Sequence, residues 1–319
     1  MIKNNTKVSI LIPLYNAQKY ISQAIDSCLE QTYKDIEIII VDDGSSDSSL
    51  SIALEYEKRH SNIIVETQKN SGAAVARNKA FELSSGGYIQ YLDADDVLHK
   101  DKIRIQMEYL LNEDEHTIVY GKWGIFQSTI KNTVWLKPPV PKNYNDSRQF
   151  LLDLWASGRA VTTILWLVPR NLIIKSRGWN EKLSTNDDGE FFARVVYNAS
   201  KVVYMNKSLS YYRTDNNNSL SRNINQKALL SIYDSFETYI NLFRQDIDKY
   251  DVRESLALVY SNYLFLVYPS NLELVKKTEN KLKYLGFNKA FLSKKHKYYY
   301  LSKLIGVYNI IRIKKLLGR

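Results

Sequence analysis

Asp93, Asp95 and Asp96 put three carboxylates within four positions, directly after the apolar run Tyr88-Ile89-Gln90-Tyr91-Leu92. Carboxylates this close repel and raise one another's pKa unless a cation lies among them, and an all-oxygen group suits a hard ion, Mg²⁺ or Mn²⁺. Two more acidic pairs occur at element ends: Asp42-Asp43 closes the run Ile36 to Val41, and Asp187-Asp188 opens a helical stretch. Each has a plain structural alternative. An isolated D-x-D also fits an acidic loop in water, Asp43 fits a turn cap, and acids at a helix start complement the positive end of its dipole.

The elements that must position these acids alternate in type. Val8 to Ile12, Ile36 to Val41, Ile63 to Val65 and Tyr88 to Leu92 read as short buried strands. Between them lie helical stretches: one carrying Tyr20, Ile21, Ala24, Ile25, Cys28 and Leu29, then Ser51 to Arg59 and Ala73 to Leu83. Gly44 permits a tight turn after the second strand, and Gly86-Gly87 stops the third helix. Four strand and helix alternations predict a mostly parallel α/β sheet, with strand carboxyl ends along one edge where such sheets bind ligands. Pro13 and Tyr15, Asp42 and Asp43, and Asp93, Asp95 and Asp96 fall on that edge. No G-x-G-x-x-G or G-x-x-x-x-G-K-[ST] follows any strand, so a bound phosphate is expected to rely on a metal rather than on a glycine cradle.

Four ordered segments then carry a family resemblance: Val8-Ser-Ile-Leu-Ile-Pro-Leu-Tyr-Asn16, Val41-Asp-Asp-Gly-Ser-Ser-Asp47, Asn70-Ser-Gly-Ala-Ala-Val-Ala-Arg-Asn78 and Leu92-Asp-Ala-Asp-Asp96. In these the chain resembles the family 2 inverting glycosyltransferases, which have the GT-A fold. The resemblance implies that Asp43, or else Asp42, accepts a hydrogen bond from the nucleotide base, with Pro13 and Tyr15 shaping the base pocket. It implies Arg77 near base and ribose, Asp93 toward ribose or sugar, and Asp95 as main metal ligand with Asp96 close by. The donor is then a nucleotide-diphospho-sugar, expected to be UDP-linked.

The middle of the chain is less regular. A helical pattern from Asp101 to Asn112 leads to the strand-like Ile118 to Gly121, then to a stretch with Trp123, Trp135 and Pro138-Pro139-Pro141 that has little periodicity. Phe150 to Trp155 reads as helix and Thr162 to Val168 as strand. Members of the family carry an acidic pair before a helix, its second member being the base for the acceptor hydroxyl. The match here is Asp187-Asp188, which makes Asp188 the expected base and Asp187 its neighbour. Relatives often place a histidine after a Tyr-Arg pair, and this chain has Asp215 there, which the resemblance carries over as a further metal ligand. The Asn-rich run beyond it reads as a loop that could cover the donor.

Of the net charge of +10, +11 lies between Ser270 and Arg319, so the rest of the chain sums to −1. Gln226 to about Tyr268 keeps a helical period, and the tail from Lys294 interleaves lysines, tyrosines and leucines. A basic helix with a broad apolar side suits an anionic bilayer surface, and equally a helix packed on the body with a solvated Lys face. The expected organisation is a GT-A domain over residues 1–222, with a nucleotide-sugar half (1–100) and an acceptor half (101–222), and a basic helical extension over 223–319. The acceptor is expected to be a glycan or lipid-linked glycan.

Other classes are disfavoured. One cysteine, Cys28, precludes an internal disulfide, and four scattered histidines show no zinc spacing. The polar start, Met1 to Lys7, leads straight into a strand, so no secretory signal is expected, and no apolar run is long enough to span a bilayer. A cytoplasmic enzyme, held at the inner membrane face by its tail, is the expectation. The rival readings are a nucleotidyltransferase making nucleotide sugars, which would bring a Gly-rich phosphate loop near the first strand, and a nucleic-acid-binding protein. The neutral body argues against nucleic acid as a partner. A sugar-binding relative without catalysis is a third, opposed by the retained acids.

Overall fold

The structure, a computed structural model, describes residues 5–216 and 225–317. Strand and helix alternate through β1 (Val8–Leu14), α1 (Ile21–Leu29), β2 (Ile36–Asp42), α2 (Ser49–Arg59), β3 (Ile63–Thr67), α3 (Ala73–Leu83) and β4 (Tyr88–Tyr91). Then come β5 (Val97–Leu98), α4 (Lys102–Leu110), β6 (Thr117–Gln127), β7 (Thr129–Trp135), α5 (Ser147–Ser157), β8 (Trp166–Pro169), α6 (Arg170–Lys175), α7 (Asp187–Asn198) and β9 (Lys201–Arg213). Five helices follow: α8 (Gln226–Leu242), α9 (Tyr250–Val267), α10 (Leu272–Tyr284), α11 (Tyr299–Ile305) and α12 (Val307–Leu316).

The strands join in the order β3-β2-β1-β4-β8-β6-β9-β5, with β7 paired to β6. β3, β2, β1 and β4 are parallel, as the alternation requires, and their Ile and Val runs are buried because helices cover both faces. β8 runs antiparallel to β4 and β6, while β6 and β9 form a long parallel pair. The antiparallel contacts are short, so the architecture is an α/β fold with a mostly parallel sheet. One hydrophobic core runs from β1 through the carboxyl-terminal helices to Ile311 of α12.

The middle is more regular than its sequence suggests. The Trp-rich stretch forms the β6–β7 hairpin, and Thr163–Leu165 is a turn of 3₁₀ helix before the four-residue strand β8. β9, the longest strand, mixes Lys, Asn and Ser with tyrosines, so it lacks the alternation that betrays a half-buried strand. Its pairing with β6 shifts register between Gly121 and Lys122. A Cβ on Gly121 would collide with the backbone carbonyl of Ser208, so only glycine lets the strands approach there.

The expected division at residue 222 falls in the segment 217–224, outside the described residues, as does the Asn-rich run expected to cover the donor beyond Asn216. α12 packs on the body through Val307, Ile310 and Ile311, while Tyr300, Leu304, Leu316 and Leu317 stay exposed. No helix among the described residues is long and apolar enough to cross a membrane.

Candidate functional site

The site is built at the carboxyl ends of β1, β2 and β4. Pro13, the penultimate residue of β1, is half-buried, and Tyr15 just beyond the strand projects into solvent. The loop behind them is locked to the loop after β2: the backbone N–H of Asn16 donates to Ser45 Oγ at 3.0 Å, and Ser46 N–H donates to Asn16 Oδ1 at 2.8 Å. Asn16 takes a positive φ of 47°, which a short amide tolerates.

Asp42 and Asp43 are both buried but differ in what surrounds them. Asp43 accepts from Ser71 N–H and Gly72 N–H, each at 2.8 Å, and from Gln68 Nε2 at 2.8 Å, which ties β2 to the start of α3. Gly72, at φ 99°, presents its N–H to that carboxylate from a conformation that L side chains rarely adopt. Asp42 Oδ2 accepts from Gly44 and Ser45 N–H, whereas its Oδ1 is buried with no donor among the described residues. An acceptor left in that state is costly, and it distinguishes Asp42 from Asp43, both of whose oxygens are engaged.

α3 delivers Arg77 to the centre. Its guanidinium is buried, donates to Asp93 Oδ1 at 2.8 Å and Asp187 Oδ2 at 2.9 Å, and lies 4.4 Å from the ring of Trp179. Burial works against its charge, but Asp93, Asp187 and Asp188 overcome this and raise its pKa, so it stays a cation. Trp179 is itself held by stacking on Phe191 of α7 and by Tyr91 at the end of β4. Its role as the floor under Arg77 has no sequence signature beyond a tryptophan after Gly178.

Asp188 follows Asp187 in the first turn of α7. Burial and the neighbouring Asp187 push its carboxyl up to about 6, the Gly189 N–H bond and Arg77 only partly opposing them. A carboxylate titrating there is basic enough to accept a proton near neutrality and still ionised at pH 7. The turn carrying it is set from behind. Asn186, left-handed at φ 58°, donates through Nδ2 to Ser235 Oγ at 2.7 Å and Tyr239 OH at 3.1 Å, both on α8. Ser184 and Thr185 N–H both donate to Ser231 Oγ.

The three acids after β4 diverge. Asp93 faces Arg77, and Asp95 accepts from Asn216 Nδ2 at 2.7 Å. Asp96 is buried and accepts from the backbone N–H of Arg213 at 2.9 Å. Burial raises Asp95, helped by Asp93, and raises Asp96 strongly, with Asp95 and Asp93 adding to it. Asp215 accepts from Ser128 N–H at 2.9 Å and sits 3.6 Å from Arg213, so it is Asn216, rather than Asp215, that reaches Asp95. Ser128 N–H and Arg213 lower the Asp215 pKa. Arg213, to which the sequence assigns no role of its own, braces this loop: its Nε donates to the Asp95 carbonyl at 2.8 Å and its guanidinium lies over Tyr20 and Phe126.

A divalent cation fits this donor set on chemical grounds. Among the described residues no three acids, histidines or cysteines gather closely enough to hold an ion unaided. Mg²⁺, however, commonly takes one or two carboxylates and completes its shell with substrate phosphates and water. Asp95, with a raised pKa beside Asp93, is the group such a charge would relieve, whereas Asp96 is turned inward and Asp215 is engaged elsewhere.

Residues 9–166 match the family profile described as glycosyl transferase family 2. An uncharacterized glycosyltransferase of Haemophilus influenzae is 30% identical over 272 residues, covering 84% of this chain and 97% of that protein. The glycosyltransferase GlyA of Streptococcus pneumoniae is 28% identical over 74% of this chain, which spans only 34% of that longer protein. Among solved structures, S. aureus TarS in complex with UDP-GlcNAc superposes with a TM-score of 0.72 at 16% identity, covering 98% of this chain and 92% of that one. At that identity the likeness shows the fold, which is of the GT-A kind.

Proposed function

The chain belongs to glycosyl transferase family 2, and from that premise we propose that it is an inverting enzyme moving a sugar from a UDP-linked donor to a hydroxyl of a cell-surface or lipid-linked glycan. One observation carries this reading. Arg77 ties Asp93, in the loop after β4, to Asp187, beside the raised carboxyl of Asp188. This supports a reading in which donor-side and acceptor-side acids share one charged hinge. The complex of TarS with UDP-GlcNAc, a protein of the same fold, supports the choice of UDP.

In the reaction proposed, Asp188 takes the proton of the acceptor hydroxyl as its oxygen bonds to the anomeric carbon. The bond from that carbon to the diphosphate oxygen breaks, and nucleoside diphosphate leaves with the electron pair. A sugar hydroxyl is far less acidic than a carboxyl near 6, so proton transfer must accompany attack. Single displacement inverts the anomeric centre. Arg77 orients Asp187 and Asp93 and keeps a positive charge between them, and Asp42 and Asp43 serve the base with Pro13 and Tyr15 around it. Asp95 is the residue that would hold Mg²⁺ or Mn²⁺ together with donor oxygens, with Asp96 and Asp215 in the shell behind it. When bound, such an ion neutralises charge on the departing diphosphate.

The exposed Tyr300, Leu304, Leu316 and Leu317, interleaved with Lys303, Lys314 and Lys315, support peripheral attachment to an anionic membrane surface, and we place this on the cytoplasmic face. Sedimentation with anionic vesicles should be lost on truncation after Lys289.

A screen of nucleotide sugars by thermal stabilisation, with and without Mn²⁺, tests the donor side. One UDP-sugar should raise the melting temperature more with Mn²⁺ than without, and Asp95→Asn should remove the difference. Absence of any response to nucleotide sugars would defeat the reading.

A further inference from the structure

A cavity of about 350 Å³ lies between α5, α7, α8 and α9, on the side of α7 away from Arg77. Its walls include Leu154 and Trp155 of α5, Phe192 and Val196 of α7, Phe236 of α8 and Leu266 of α9. Among the described residues no carboxylate lines it. The exposed members of its lining, Gly158, Arg159, Ala160 and Leu266, mark the mouth, and Arg159 is the cation there. Polar groups of the lining include Asn262, whose amide lies beside Gly158, the indole N–H of Trp166, which has no acceptor among the described residues, and Asn186 with Tyr239 at the inner end.

A void of this size forfeits dispersion contacts along its whole lining, and mostly apolar clefts with a few convergent polar groups are where small ligands bind. We propose that the cavity is a binding site for a single-chain anionic amphiphile, whose apolar chain lies between α5 and α9 and whose charged head meets Arg159 at the mouth. The apolar lining selects the chain, and Arg159, the one cation of the lining among the described residues, which also donates to the Lys137 carbonyl at 2.8 Å, selects the head.

The inner end gives the site a consequence. Asn186 and Gly189 both line it, and they flank the Asp187-Asp188 pair in the first turn of α7. A chain pressing on Asn186 bears on the hydrogen bonds to Ser235 and Tyr239 that set this turn. Occupancy is therefore coupled to the acid pair, and the effect on rate, though not the binding, rests on the transferase reading.

Calorimetry with monomeric n-decyl phosphate, in the absence of nucleotide sugar, tests the site, with n-decyl maltoside as the neutral comparison. The full chain should bind decyl phosphate saturably at one site. Ala160→Trp, which plugs the mouth from an exposed loop, and Leu154→Trp should each weaken binding at least tenfold while melting within a few degrees of wild type. Arg159→Gln should remove the preference for phosphate over maltoside without touching the core. Binding that is non-saturable, or equal in wild type and the plugged variants, would overturn the proposal, as would equal affinity for the two heads in the wild type. A rate that responds to decyl phosphate in wild type but not in Ala160→Trp would show the coupling, whereas saturable binding in a protein without transferase activity would defeat only the proposed function.

Discussion

Arg77 and Asp187, 110 positions apart in sequence, meet at 2.9 Å, and the same guanidinium holds Asp93 at 2.8 Å. Removing a buried cation leaves its partners as uncompensated charges, which costs several kcal/mol when all are fully buried. Asp93 is about a third exposed, so Arg77→Ala is expected to destabilise by about 2 kcal/mol, below that range. Arg77→Lys should recover part of the stability but little activity, since a point charge cannot fork to two carboxylates. Urea denaturation and turnover of the same variants check both statements.

The raised carboxyl of Asp188 makes stability fall as pH rises. Its folded pKa of about 6 lies above the ordinary carboxylate value, so the folded state holds the proton more tightly than the unfolded chain. The resulting stabilisation is present below pH 4 and is lost as pH climbs through 6. Asp188→Asn should therefore be more stable than wild type at pH 7.5, by on the order of 2 kcal/mol, and the gap should close toward pH 4. Melting curves across that range decide it. A gap that stays constant with pH would mean that Asp188 is not held in a desolvated site.

α8 lies outside the acidic motifs yet fixes the turn that bears Asp188, the proposed base. Tyr239→Phe removes one of the two acceptors for Asn186 Nδ2 at the cost of about 1 kcal/mol. The expected result is a kcat lowered about tenfold with donor affinity unchanged, and a pH profile displaced from that of wild type. A loss in donor affinity instead would point to general unfolding.

The placement of the acids is legible in the sequence. The acids at strand ends follow from βα alternation, because a parallel sheet gathers its carboxyl ends on one edge, and Asp42, Asp43, Asp93 and Asp95 all lie there. The partners are not. Arg77 joins Asp187 through a contact that no local pattern encodes, and Trp179 beneath it is one of five tryptophans in the chain. β9 escaped because Lys207, Ser208 and Ser210 interrupt its apolar period where β6 shifts register. Position in a motif points to Asp215, whereas the turn after β9 brings Asn216 to Asp95. The clamp on Asn186 is not legible because Ser235 and Tyr239 lie on the α8 helix, where they read as ordinary helix positions.

The measurement that bears most directly on the account separates binding from chemistry at Asp188: donor affinity by calorimetry and kcat with the same donor, in wild type and Asp188→Asn. The account predicts a dissociation constant within about threefold of wild type and a kcat reduced at least 10³-fold, since removing a base adds to the barrier without altering donor contacts. An Asp188→Asn enzyme that turns over at a rate near wild type would contradict it.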